Sequence, residues 1–248
     1  ALGPWRWRDE NKNTDTYFDG SKVTAPYNAQ LVEDVLMMQA YGIPCTAYWV
    51  DRPWGVGDFG FADYKIDYNR FPDFEKMIPW LNGKNMELML WICPWVFGDM
   101  AKVATERGYA LPGRSHREAL QITPFGVAHN PSVPDLNSVI IDYTNPEAAR
   151  WWGENGPGKL AKMGVKGFKL DRADGERIVD SIHLTTASGT TLRENFNDYP
   201  HQFVKATYDA VSSVLGDDLM LFPRAQYTGS ARYGGMWAGD TGNPAEGL

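Results

Sequence analysis

Residues 167–178 read GFKLDRADGERI: a short apolar run that stops at a carboxylate, Asp171, and is followed by Arg172, Asp174, Glu176 and Arg177. The apolar part has the length and character of a buried strand, because a strand covered on both faces shows no alternation. A solvated turn needs no such lead-in, and a core strand does not welcome an Asp. Asp171 is therefore either a working group at the mouth of a barrel or the first residue of a turn. Asp174 and Glu176 compete for any role in chemistry, and ion pairs with Arg172 or Arg177 are the plainer account of both.

Outward from this stretch the same pattern recurs. Strand-like runs occupy TAYWVD (46–51), ELMLWICP (87–94), SVIIDYT (138–144), DLMLFPR (218–224) and GGMWAGD (234–240). Helix-like stretches fall between them at 29–42, 71–85, 145–164 and 199–216. Asn145-Pro146-Glu147 supplies a cap, a first-turn Pro and an acid near the positive helix end. Gly164 and Gly216 stand where left-handed helix terminators are expected. Apolar strands alternating with helices predict a parallel sheet covered by helices.

Asp51, Asp142, Asp171, Arg224 and Asp240 all fall at the C-terminal ends of these runs. Polar groups from separate strands meet in that way on the rim of a (β/α)8 barrel. An open doubly wound sheet would use the same ends. However, no G-x-G-x-x-G follows the first strand, and VDRPWGVGDFG is too bulky and acidic to cradle a phosphate. The expected fold is thus an α/β (β/α)8 TIM barrel. About six of its eight units are legible, so the chain is expected to be part of a longer protein.

Composition narrows the partners. With 248 residues the chain can form one large domain, and a formal net charge of −7 argues against a nucleic-acid backbone as ligand. Ten Trp and twelve Tyr suit sugar rings, although each is more simply a core residue. Cys45 and Cys93 lie in apolar runs and read as free thiols. No run has the ~18 apolar residues of a membrane span. ALGPWRWRDE is no signal peptide, which does not fix a compartment.

Several chemistries lack their residues. The four His (116, 129, 183, 201) show neither H-x-H nor H-E-x-x-H spacing, there is no G-x-S-x-G, and acids 58, 63 and 67 lack the frame of a calcium loop. No metal and no organic cofactor is expected. Two carboxylates on non-adjacent strands, by contrast, suit glycoside hydrolysis. Asp240, in WAGDT behind Trp237, is either an acid kept protonated by an apolar wall or a turn Asp before Gly242.

Five blocks in register resemble glycoside hydrolase family 31, the α-glucosidase and α-xylosidase family, over most of residues 1–248. RAQYTGSARYGGMWAGDT (224–241) is similar to the block whose last Asp is the family's acid/base. GFKLDRADGE resembles its nucleophile block in the Phe-Lys-x-Asp form of α-xylosidases, and AYWVDRPW its first-strand block. YNRFPDFEKMIPWLNGKNMELMLWICPWV and IIDYTNPEAARWW match in order and spacing. The resemblance implies a retaining α-glycoside hydrolase, with Asp171 as nucleophile and Asp240 as acid/base. Asp51, Trp91, Lys169, Arg224 and Trp237 would contact the sugar. An α-transglycosylase with the same residues, or a non-catalytic sugar-binding barrel, are the alternatives.

Lys169 stands where typical α-glucosidases carry Trp, and invites an acidic or hydroxyl-rich sugar group, a xylosidase-like pocket, or an ion pair with a neighbouring barrel acid. The loop Asp171–Glu176 is two residues longer than the family's Asp-x-Gly-Glu, so it is reshaped. Residues 1–248 would be one catalytic barrel domain, truncated at its C-terminus and without the family's β-sandwich domains. Those domains, or oligomer partners, would complete the fold around a carbohydrate substrate.

Overall fold

The computed structural model describes residues 5–8, 11–57, 60–111, 138–173 and 185–239. Five parallel strands form the central sheet: β1 (Trp5–Trp7), β2 (Ala47–Val50), β3 (Glu87–Ile92), β6 (Gly167–Leu170) and β7 (Met220–Pro223). Their spatial order is β1-β2-β3-β6-β7, so each strand of this sheet lies beside the sheet's next strand along the chain. A doubly wound sheet would reverse direction at a switch point. Progress in one direction is what a barrel wall requires, and the barrel expectation holds.

Helices fill the crossovers. After β1 comes α1 (Ala29–Ala40), and after β2 comes α2 (Phe74–Asn82). Beyond β3 the chain forms a two-stranded antiparallel ribbon, β4 (Trp95–Val96) with β5 (Val139–Ile140), and α3 (Gly98–Glu106) between them. Then α4 (Pro146–Asn155) and α5 (Pro157–Lys162) lead into β6, and α6 (Asp198–Leu215) leads into β7.

Sequence dictates these elements locally. Asn28 caps α1 by accepting from the Leu31 N–H, and Leu31, Val35 and Met38, spaced four and three apart, bury one face. Five of the six β3 residues are buried, matching their unbroken apolar run. Asn145 caps α4 by accepting from the Glu147 and Ala148 N–H groups, as its spacing predicts. Gly164 and Gly216 both have positive φ, 102° and 64°, at the helix ends where the sequence placed them.

Four features depart from the sequence reading. The stretch 138–144 is not a barrel strand, because β3 pairs directly with β6 and leaves no slot between them. Its β5 portion pairs instead with β4. Stretch 145–164 is two helices, broken at Gly156 because Pro157 lacks an N–H and biases its predecessor away from helix. The run 234–239 is not a ladder strand.

The fourth departure is β1, which the sequence reading missed. It has three residues, and side chains from outside the strand fix it. Arg6 bonds Asp34 of α1 at 3.0 Å, Arg8 bonds Glu33 at 2.8 Å, and the buried Tyr48 hydroxyl donates to Asp34 at 2.7 Å.

Helices α4 and α6 meet where Gly153 faces Ala210. A Cβ added at Gly153 would sit 2.7 Å from the Ala210 Cβ and 3.4 Å from the Ala206 carbonyl oxygen. Gly153→Val should therefore overpack the contact and cost ~1–3 kcal/mol in urea unfolding. An unchanged midpoint would show that the helices do not approach so closely.

Candidate active site

Parallel register builds the site in layers. Trp91 of β3, Lys169 of β6 and Phe222 of β7 are direct cross-strand partners. Asp51 follows Val50, which pairs with Leu90, and so extends the same row. Two residues on from Lys169 and Phe222, on the same face of the pleat, stand Asp171 and Arg224. Trp49, two residues before Asp51, lies one layer below.

The Asp171 carboxylate is buried and held from several sides. Its Oδ2 accepts from the Trp91 indole N–H at 2.9 Å. Its Oδ1 accepts from the Arg172 backbone N–H at 2.9 Å and from Arg224 Nη1 at 3.3 Å. Lys169 Nζ and Arg172 Nε stand 4.0 and 3.8 Å from Oδ2. Arg172 has φ 66°, a left-handed conformation uncommon outside Gly and Asn, and that turn directs its N–H back at Asp171.

Lys169 is buried as well. Its ammonium pairs with Asp51 Oδ2 at 3.2 Å and lies between two rings, 4.2 Å from the Trp49 centroid and 4.4 Å from that of Trp237. Trp237 stacks on Phe222 with centroids 6.1 Å apart. Arg52 lies over the Trp91 ring at 5.9 Å. Burial pushes the Asp51 carboxyl above the ordinary carboxylate range; the Lys169 charge opposes the shift without cancelling it.

The structure thus brings together Asp51, Trp91, Lys169, Asp171, Arg224 and Trp237. Of the readings of Lys169, the ion pair with a barrel acid is the one observed. Asp240, Asp174 and Glu176 lie outside the described residues. Asp142 does not join the rim. It follows β5, and its carboxylate accepts from Thr144 and from the Ala187 N–H, at 2.6 Å, to anchor the 185–191 turn.

Asp63, expected in a solvated loop, instead accepts from the Met100 N–H at 2.8 Å in the first turn of α3. Cys93 is buried and Cys45 half-buried, both free. Burial pushes the Cys93 thiol well up, which makes it inert.

Sequence reasoning missed Trp49, Arg52 and Phe222, and it offered Arg172 to Asp174 or Glu176 where the structure sets it against Asp171. Period-two spacing from Asp51 and from Arg224 would have put Trp49 and Phe222 on the correct face. Among the described residues a groove of about 590 Å³ between α4 and α6, lined by Arg150, Glu154, Asp198, Lys205 and Asp209 among others, shares no residue with this cluster. It is lined by helix and loop residues and not by the ends of the central strands, where barrel chemistry is built.

The model of the glycosyl hydrolases family 31 TIM-barrel domain matches residues 18–248. The chain belongs to glycosyl hydrolase family 31. The alpha-xylosidase of Emericella nidulans is 24% identical over 201 residues, covering 80% of this chain and 24% of that protein. The sulfoquinovosidase of Escherichia coli is 24% identical over 237 residues, covering 91% and 33%.

Among solved structures, the Flavobacterium johnsoniae family 31 dextranase complexed with glucose superposes with a TM-score of 0.73 at 22% identity, over 98% of this chain and 28% of that one. That likeness shows the fold. The chain spans about a quarter to a third of the length of these relatives. Among the described residues no helix is long and apolar enough to cross a membrane.

The raised pKa of Asp51 fixes the sign of a pH effect. A folded-state value above the unfolded one means that the folded chain binds more protons between the two values. Ionised Asp51 therefore opposes folding above its folded pKa, and this cost is lost as pH falls through that value to the unfolded one, ~3.9. Wild type should gain stability relative to Asp51→Asn as pH falls from 7 toward 4 in parallel urea titrations. A wild type that instead loses stability relative to Asp51→Asn on acidification would contradict the shift.

Proposed function

We propose that this chain carries the reaction centre of a retaining α-glycoside hydrolase, with Asp171 as nucleophile and Asp240 as acid/base. The supporting observation is the setting of Asp171: a buried, strand-end carboxylate oriented by Trp91, Arg224 and the Arg172 N–H. A nucleophile needs such fixed aim, and a packed strand end supplies it more exactingly than a loop. Those donors and the facing cations balance its negative charge without covering it by another acid. Membership of family 31 and the order of the sequence blocks support the same roles.

In the first step an Asp171 oxygen forms a bond to the anomeric carbon. The bond from that carbon to the leaving oxygen breaks, and the leaving oxygen takes the Asp240 proton. In the second step water gives a proton to Asp240, its oxygen bonds to the anomeric carbon, and Asp171 departs as a carboxylate. This double displacement needs the two carboxyls ~5–5.5 Å apart. Gly239, next to Asp240, has φ 83°, and a Cβ added there would meet Arg224 Nε at 3.3 Å. The chain entering Asp240 therefore runs over the arginine that bonds Asp171.

Asp51, Trp91, Arg224 and Trp237 form the floor and wall of the sugar pocket, and Lys169 is enclosed between Asp51, Trp49 and Trp237. Trp91, Lys169 and Arg224 act there chiefly by holding acids, since each has polar atoms engaged with Asp51 or Asp171. Further segments of a longer polypeptide complete the barrel, consistent with the share of its relatives that this chain spans. A sugar acceptor in place of water would give transglycosylation by the same residues, which product analysis with added acceptor distinguishes.

In the full-length protein, a panel of aryl α-glucoside, xyloside, galactoside and N-acetylgalactosaminide identifies the sugar. Asp171→Asn should then lower kcat/KM on the preferred glycoside by ~10³-fold or more, equivalent to ~4 kcal/mol. Turnover that survives this substitution would refute the assignment.

A further inference from the structure

The chain between β7 and Asp240 is held differently from the strands beside it. Two backbone bonds tie it to β7, Gly235 N–H to Leu221 O at 3.1 Å and Trp237 N–H to Pro223 O at 3.3 Å. Gly234 permits that approach, because a Cβ there would lie 2.4 Å from the Leu221 oxygen. Gln226 Nε2 donates to the Gly234 and Gly235 carbonyls at 3.3 and 3.5 Å, and nearer Asp240 the chain is anchored by the Trp237 ring. It stacks on Phe222 and faces two cations, Lys169 Nζ at 4.4 Å and Arg224 Cζ at 5.9 Å.

Both cations also reach Asp171, at 4.0 and 3.3 Å. Lys169 is the more enclosed contact, its side chain only 8% exposed. Asp51 and Asp171 stand on its polar sides, and Trp49 and Trp237 cover it as roof and floor. An ammonium so enclosed is a poor reader of substrate. A desolvated cation over an indole face contributes more than a neutral backbone hydrogen bond, so this contact is a principal constraint on where residues 234–239 lie.

We propose that Lys169 is a positioning residue that locks the Trp237 arm to the Asp51–Asp171 pair, and thereby sets where Asp240 meets the leaving group. The inference rests on the reading of Asp240 as proton donor. Lys169 acts through Trp237, and it need not touch the sugar. Loss of the ammonium frees the ring, and the acid that follows it three residues later loses its aim while the nucleophile keeps the Trp91 and Arg224 bonds.

Leaving-group dependence tests this in the full-length protein. An α-glycosyl fluoride departs as fluoride with little need of a proton, whereas an unactivated disaccharide of the same sugar needs the acid. Lys169→Met should lower kcat on the disaccharide about ten-fold or more beyond any loss on the fluoride, as expected for a misplaced general acid. KM for the fluoride should stay within about three-fold of wild type, because the lysine does not bind the sugar.

Trp237→Phe keeps a ring in place with a weaker face for the cation, and should show the same fluoride-sparing pattern at smaller amplitude; it decides the matter if Lys169→Met fails to fold. Equal losses on the two substrates, or no loss, overturn the proposal. The reading of Asp240 fails separately, if Asp240→Ala lowers turnover of the fluoride and the disaccharide alike.

Discussion

A buried ammonium must be compensated on every side, and Lys169 imposes that demand on the ends of the central strands. Leaving such a charge unpaired in the interior costs several kcal/mol. Its partners come from β2 through Asp51, from β6 itself through Asp171, and from the chain beyond β7 through Trp237. The parallel register of β3, β6 and β7 is what places these groups in reach of one another. A slip of one residue in β6 would turn Lys169 and Asp171 toward the helices and bring Phe168 and Leu170 inward. Register and electrostatics here enforce the same arrangement.

That dependence explains which parts of the molecule the sequence disclosed. Long apolar runs and capped helices carry their own signal, so β2, β3, β6, β7, α1 and α6 follow directly from 46–51, 87–94, 167–171, 218–224, 29–42 and 199–216. Elements fixed from a distance carry none. β1 is three residues held by Asp34 and Glu33 of a later helix, and α3 takes its first-turn acceptor from Asp63, more than thirty residues earlier. The stretch 138–144 has a strand's composition, yet it pairs antiparallel with β4, because composition records burial and not the neighbour that provides it.

The site shows the same division. Asp51, Asp171 and Arg224 were legible as polar residues ending apolar strands, and Asp142 was legible for the same reason and proved to be a turn anchor. What the sequence could not convey was the use of each group. Lys169 is committed to Asp51, and the Trp91 indole N–H is committed to Asp171. Barrels host many chemistries, so family membership narrows the reaction, while the sugar is decided by side chains at these rims.

Mass-spectrometric mapping of the full-length protein after treatment with a mechanism-based 5-fluoro α-glycosyl fluoride tests the central claim most directly. A covalent glycosyl adduct on the peptide containing Asp171 is the predicted result. An adduct on another carboxylate would contradict it, as would turnover of the ordinary substrate with inversion at the anomeric carbon.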